Sequence, residues 1–294
     1  MRIATTKPTL DDVFLRYAGT TRGSRAITTA RGVRTRQEAI AVNDSSRVVL
    51  AMMKLELRRL RHDRTEVYAR AVQPVLWLVI FGTVLSQTHA IPTSGPYIDY
   101  ITPGVMLLSV LFVAVLYGLT LVWERDIGIL KKLLVAPASR YATVICRSMS
   151  SGVRAIIQVF IVIPVALLLG VSFISNPAYF VAALVILFFI SGGFAALSII
   201  VASLLKTREL FMGIGQALIL PLFFANNALY PLALMPRALQ LFAAVNPLTY
   251  AVDAVRGLMI TGNLGLLPLE VAVLTLFDIL MFAVASLSFR KIIE

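Results

Sequence analysis

Six separate stretches of this 294-residue chain stay apolar for about the 20 residues that a helix needs to cross a hydrocarbon core. They run over 68–87, 103–123, 155–175, 179–205, 210–230 and 266–289. Inside lipid every backbone N–H and C=O must find its partner within the protein, so runs of this length read as spanning helices. The expected fold is an all-α membrane protein with six transmembrane helices. Pro164 and Pro221 fall inside the third and fifth runs and are expected to kink them. A content of 59% apolar and 14% charged residues excludes an ordinary soluble enzyme. A lone Cys146 excludes an internal disulfide, and His62 and His89 lie too far apart in sequence to suggest a zinc cluster.

The net charge of +12 would suggest nucleic acid in a soluble chain, but its distribution points to a membrane. Seven basic residues, from Arg47 to Arg70, precede or open the first span, and six more (Arg125, Lys131, Lys132, Arg140, Arg147, Arg154) lie between the second and third. Segment 88–102 holds none. By the positive-inside rule both termini are cytoplasmic, while the regions around Thr93 and Gly262 lie outside. Residues 1–45 are polar and without apolar period, which predicts a poorly structured cytosolic tail with no signal-peptide pattern. Residues 46–66 place Val49, Met53, Leu57 and Leu60 opposite Lys54, Arg58 and Arg61, the pattern of an interfacial amphipathic helix. The remaining 67–294 form the six-span domain.

Three polar features stand out against this background. In loop 123–140, Ile127, Leu130 and Leu134 form an apolar stripe at helical spacing, with Glu124 and Arg125 before it and Pro137 as its stop. Such a helix either rests on the membrane surface or offers a grip to a soluble partner. Between the last two spans, Pro231, Pro236 and Pro247 break the apolar pattern, and Asp253 with Arg256 makes 246–259 a poor lipid-facing helix. Two short helices dipping into the outer leaflet are expected there. Asp253 and Arg256 either pair or touch substrate, and Asn226 and Asn227 are expected to bond to backbone freed by Pro221 or to neighbouring helices. Asp278, near the centre of the last span, is expected to face protein or water, either in an interhelical hydrogen bond or in a proton or substrate role.

The stretch Glu124-Arg125-Asp126-Ile127-Gly128-Ile129-Leu130, followed by Leu133-Leu134-Val135-Ala136-Pro137 and Ser139-Arg140, resembles the cytoplasmic signature of ABC-2 type transporter permeases. Asp126, Ile129 and Lys131 depart from the commoner Glu, Thr and Glu. Pro74-Val-Leu-Trp77 with Phe81-Gly82, and Asn246-Pro247 through Tyr250, Asp253 and Arg256-Gly257, resemble that family's first span and the stretch before its last. The resemblance implies that residues 124–137 form a coupling helix on a separate ABC ATPase, present in two copies, which binds ATP and Mg. It further implies a second permease subunit, identical or paralogous; the two broken helices are expected to ring an exit, with Asn226, Asn227, Tyr250, Asp253 and Arg256 along an outer gate or substrate path. Lys7-Pro-Thr-Leu-Asp-Asp-Val-Phe-Leu15 resembles the tail of such ATPases, as a fusion remnant or an inert extension. No Gly-Lys-Ser or Gly-Lys-Thr phosphate loop occurs in the sequence, so energy is expected from another chain.

The function that fits is the membrane subunit of an ATP-driven exporter in a prokaryotic plasma membrane, binding no cofactor or metal itself and moving an amphipathic or lipid-like substrate outward. A membrane-embedded lipid-modifying enzyme and a non-catalytic scaffold remain as alternatives. The first needs convergent polar groups at one depth, and the second has no need of the amphipathic cytoplasmic helix.

Overall fold

A computed structural model describes residues 64–88, 91–93, 95–127, 140–205 and 207–293. The predicted tail, all of the predicted interfacial helix except residues 64–66, and Gly128, Leu130, Leu134 and Pro137 of the predicted coupling helix lie outside the described residues.

The described residues are nearly all helical: α1 (Arg64–Thr88), α2 (Tyr97–Asp126), α3 (Arg140–Leu168), α4 (Pro177–Leu204), α5 (Arg208–Phe224), α6 (Arg237–Val245), α7 (Pro247–Arg256) and α8 (Leu267–Ile293). A short 3-10 turn, Leu232–Leu234, precedes α6, and a π-turn, Gly257–Thr261, continues α7. By length and composition α1, α2, α3, α4 and α8 can each cross a membrane, while α6 and the α7 unit form a pair bent by 80°. The two short helices expected before the last span are therefore present, and Pro247 at the start of α7 divides them.

The centre of the bundle is α2 and α4. Of their most apolar windows 72% and 56% are buried, against 22% for α1 and α8, so the last two present most of their surface outward. Small residues allow α4 its central place: Ser191, Gly192, Ala195, Ala196, Ser198 and Ala202, paired four apart, are all buried. Where α4 meets α2, a Cβ on Gly118 would collide with the Ser198 side chain and its carbonyl. The close approach lets the Ser198 hydroxyl donate to the Val115 carbonyl at 2.7 Å while accepting from the Gly118 amide at 3.1 Å.

Two helices end earlier than their apolar runs suggest. α3 begins at Arg140, well before the expected 155, and stops at Leu168 where the run continues to 175. Gly170, at φ +88°, turns the chain out of the helix, with its own amide donating to the Leu167 carbonyl and the Val171 amide to that of Ala166. This pair of bonds around a left-handed glycine is the Schellman termination, which an apolar count passes over. α5 stops at Phe224 rather than 230 and, at 17 residues, reaches about 26 Å. Side chains take over its terminal carbonyls: Asn226 and Asn246 both donate to Leu222 O at 2.7 Å, and Tyr230 donates to Phe224 O at 2.7 Å. Asn226 thus serves the helix end, not the carbonyl that Pro221 leaves without a donor one turn earlier.

Candidate functional site

Polar side chains concentrate at both ends of the bundle. At the broken-helix end the centre is Arg256, on the last turn of α7. Its Nη1 donates to Asp253 Oδ1 at 3.0 Å, and its Nη2 to the carbonyls of Asn227 and Tyr100 at 2.8 and 3.2 Å. The guanidinium lies 3.9 Å from the centroid of the Tyr100 ring. One planar fork therefore joins α7, the irregular segment 225–231 and the first turn of α2, a task suited to several fixed donors in one plane. Asn227 closes the ring by donating to Asp253 Oδ1 at 2.5 Å.

The segment 225–231 is held flat on α2. Gly104 leaves room for the Ala228 backbone, which a Cβ there would meet at 2.8 Å. Tyr97 donates to Leu229 O at 2.9 Å, and Tyr100 to Asn227 O at 3.0 Å. Tyr250 turns away from this ring and donates to Ala244 O at 2.7 Å, tying α7 to α6. Asn246 caps α7 through the Leu248 amide while its own amide group reaches α5. Of the five residues expected at an outer gate, Asn226, Asn227, Asp253 and Arg256 meet around segment 225–231, and Asp253 and Arg256 pair with each other. Sequence reasoning missed Tyr97, Tyr100 and the double role of Asn246. The signal available was two tyrosines three residues apart, on one face of the opening turn of a span.

The other end carries the basic residues. Arg125, Arg147 and Arg154, counted above as loop residues, lie within α2 and α3. Glu124 is ion-paired with Arg147 of α3, and Arg125 Nη1 donates to the Leu205 carbonyl at 3.0 Å. Asp126 closes α2, and Ile127 beyond it is 60% exposed. Glu124 and Arg125 are thus engaged inside the protein, while the one described member of the predicted stripe faces outward.

Asp278 lies in α8, only 7% exposed, against α4. Its Oδ1 is buried and receives no hydrogen bond among the described residues, so of the two roles expected of it the interhelical bond is not among the bonds these residues make. Its neighbour is a glycine: a Cβ on Gly193 would strike Oδ1. Gly193→Ala is therefore expected to destabilise the protein by about 1–3 kcal/mol through overpacking. In an Asp278→Ala background the same substitution should cost less, because the colliding oxygen is gone and only Phe277 Cε1, 3.0 Å from that Cβ, remains close. Thermal unfolding of the four variants in detergent measures this coupling; additive losses would show that the contact does not matter.

The family model described as ABC-2 type transporter matches residues 47–260. The chain is 31% identical over 188 residues to a protein of Cyanophora paradoxa bearing the name transport permease ycf38, covering 63% of this chain and 64% of that one. It thus spans just under two thirds of that relative. It is 24% identical to the daunorubicin resistance ABC transporter permease protein DrrB1 of Streptomyces coeruleorubidus, covering 68% and 70% of the two chains. A shorter stretch, 33% of this chain and 37% of the other, is 31% identical to nodulation protein J of Bradyrhizobium diazoefficiens. With the family model covering most of the chain and five helices among the described residues able to cross a bilayer, this multi-pass membrane protein belongs to the ABC-2 type transporter family.

Proposed function

We propose that the chain is the transmembrane subunit of an ATP-driven exporter that carries an amphipathic or lipid-like molecule out across a prokaryotic plasma membrane. The family match carries this reading. The outward direction and the amphipathic cargo draw on the daunorubicin resistance in one relative's name. A separate ABC ATPase, in two copies, binds ATP and Mg and docks on segment 124–137. A second permease subunit, identical or paralogous, completes the conduit. ATP-driven closure of the partner shifts the population from an inward-open to an outward-open state. The ring around Arg256 then belongs to the outer gate or substrate path.

Orientation is checked first. Single cysteines at Thr93 and at Gly262, in a Cys146→Ser background, are expected to react with an impermeant thiol reagent in intact cells, because short loops poor in Lys and Arg are translocated. Labelling of Arg140→Cys instead would reverse the topology. Co-expression with candidate ATPases, followed by co-purification and vesicle transport of amphipathic drugs, tests the reading itself. Transport without any ATPase would overturn it.

A further inference from the structure

We propose that Trp123 and Arg208 form a clamp, completed by Arg125, that ties the turn between α4 and α5 to the end of α2, so that a push on the segment beyond Ile127 is passed to α5. The proposal rests on the reading of segment 124–137 as the ATPase docking site. Its carrying observation is the Arg208 guanidinium, 4.4 Å from the centroid of the Trp123 ring.

Arg208 opens α5, and a cation there lies at the wrong end of the helix macrodipole, so α5 alone gives no reason for its place. The Trp123 ring, on the last turns of α2 and 52% exposed, supplies one through a cation–π contact. Beside it, Arg125 donates a charge-assisted hydrogen bond to Leu205 O, a helix-end carbonyl that α4 cannot satisfy itself. Both contacts lead from α2 across to the residues on either side of one turn, Leu205 and Arg208.

α5 is held against the bundle along one side. It buries a single stripe, Phe211, Gly215, Ile219 and Phe223. Beside part of that stripe, a space of about 20 Å³, room for about one water, lies between α5 and Leu111 and Val115 of α2 and Phe194 and Leu197 of α4. A helix seated on one stripe shifts with fewer lost contacts than one wedged on two sides. Its far end is held by Asn226 and Asn246 at Leu222 O, inside the broken-helix cluster. α5 is thus one continuous element reaching from the clamp to the ring around Arg256.

The test uses the full chain and the ATPase that co-purifies with it. Trp123→Ala and Arg208→Gln are expected to leave the complex assembled and basal ATP hydrolysis unchanged, while transport per ATP falls roughly three- to thirty-fold. Trp123→Phe and Arg208→Lys, which keep a ring and a cation, should recover most of it, and the double variant should be no worse than either single one. Unchanged transport per ATP in an assembled complex, or additive losses, would overturn the clamp. A second measurement needs no ATPase: spin labels at Met212 and at Leu220, on the isolated chain in lipid nanodiscs. Trp123→Ala and Arg208→Gln should raise mobility at Met212 and leave Leu220 unchanged, whereas equal mobility at both sites in all variants removes the clamp. If the wild-type chain recruits no ATPase, the reading under Proposed function fails, and the spin labels still decide the clamp.

Discussion

Arg256→Ala is expected to abolish transport and to lower the stability of the protein by about 2–4 kcal/mol. The side chain is the shared donor for Asp253 Oδ1, Asn227 O and Tyr100 O, so one truncation removes a donor from acceptors in three parts of the chain, although Asp253 Oδ1 keeps Asn227 and Asn227 O keeps Tyr100. The upper end of that range belongs to fully buried ion pairs, and Asp253 is 38% exposed at its side chain, so the lower half is the better expectation. Arg256→Lys should recover the ion pair but not both carbonyl bonds, because an ammonium lacks the planar fork. Asp253→Asn should cost less than either, since Arg256 keeps its two carbonyl partners and its place over the Tyr100 ring. The measurements are thermal unfolding in detergent and transport in vesicles for the same preparations. A stable Arg256→Ala protein that still transports would show that the ring is dispensable. A stable one that does not transport would place Arg256 directly in the gate or substrate path.

Leu130→Asp and Leu134→Asp are expected to detach the partner ATPase or to silence its stimulation by substrate. With Ile127 these leucines recur at helical spacing in the sequence, burial on docking is worth roughly 1.5–3 kcal/mol per side chain, and Ile127 is 60% exposed. A carboxylate in the stripe would be buried unpaired on docking. Should the stripe rest on the membrane surface instead, the same variants would weaken lipid contact and leave the complex assembled. Gly128→Val separates a further requirement. If the ATPase approaches the backbone at that point, a branched side chain blocks it while insertion and expression stay normal. Co-purification and ATPase rates of the three variants decide the matter, and an intact, fully stimulated complex in all of them would remove segment 124–137 as the docking site.

The fold was largely legible in the chain because a bilayer narrows the options: apolar runs of spanning length must become helices, and prolines with an Asp and an Arg between the last two must break the pattern. The starts of α4 and α8 and the division of α6 from α7 follow from those signals. Helix ends were less legible. Gly170 ends α3 inside an apolar run, and α5 ends where Asn226 and Asn246, the latter twenty-four residues beyond Leu222, supply the donors.

The candidate site divides in the same way. Asp253 and Arg256 are one turn apart, so their pairing was readable from spacing alone. That Tyr100 lies under the guanidinium, 156 residues away in sequence, is decided only when α2 and α7 pack together. Likewise Glu124 and Arg125 read as docking residues, and only the packing of α3 and of the turn after α4 against α2 gives them partners within the chain. What the sequence determined by itself was the number of apolar runs, their breaks and the charges between them, because the cost of placing polar groups in lipid acts on each segment locally. Which polar groups meet was decided by tertiary structure, because a hydrogen bond has a range of about 3 Å and depends on helices far apart in the chain coming into contact.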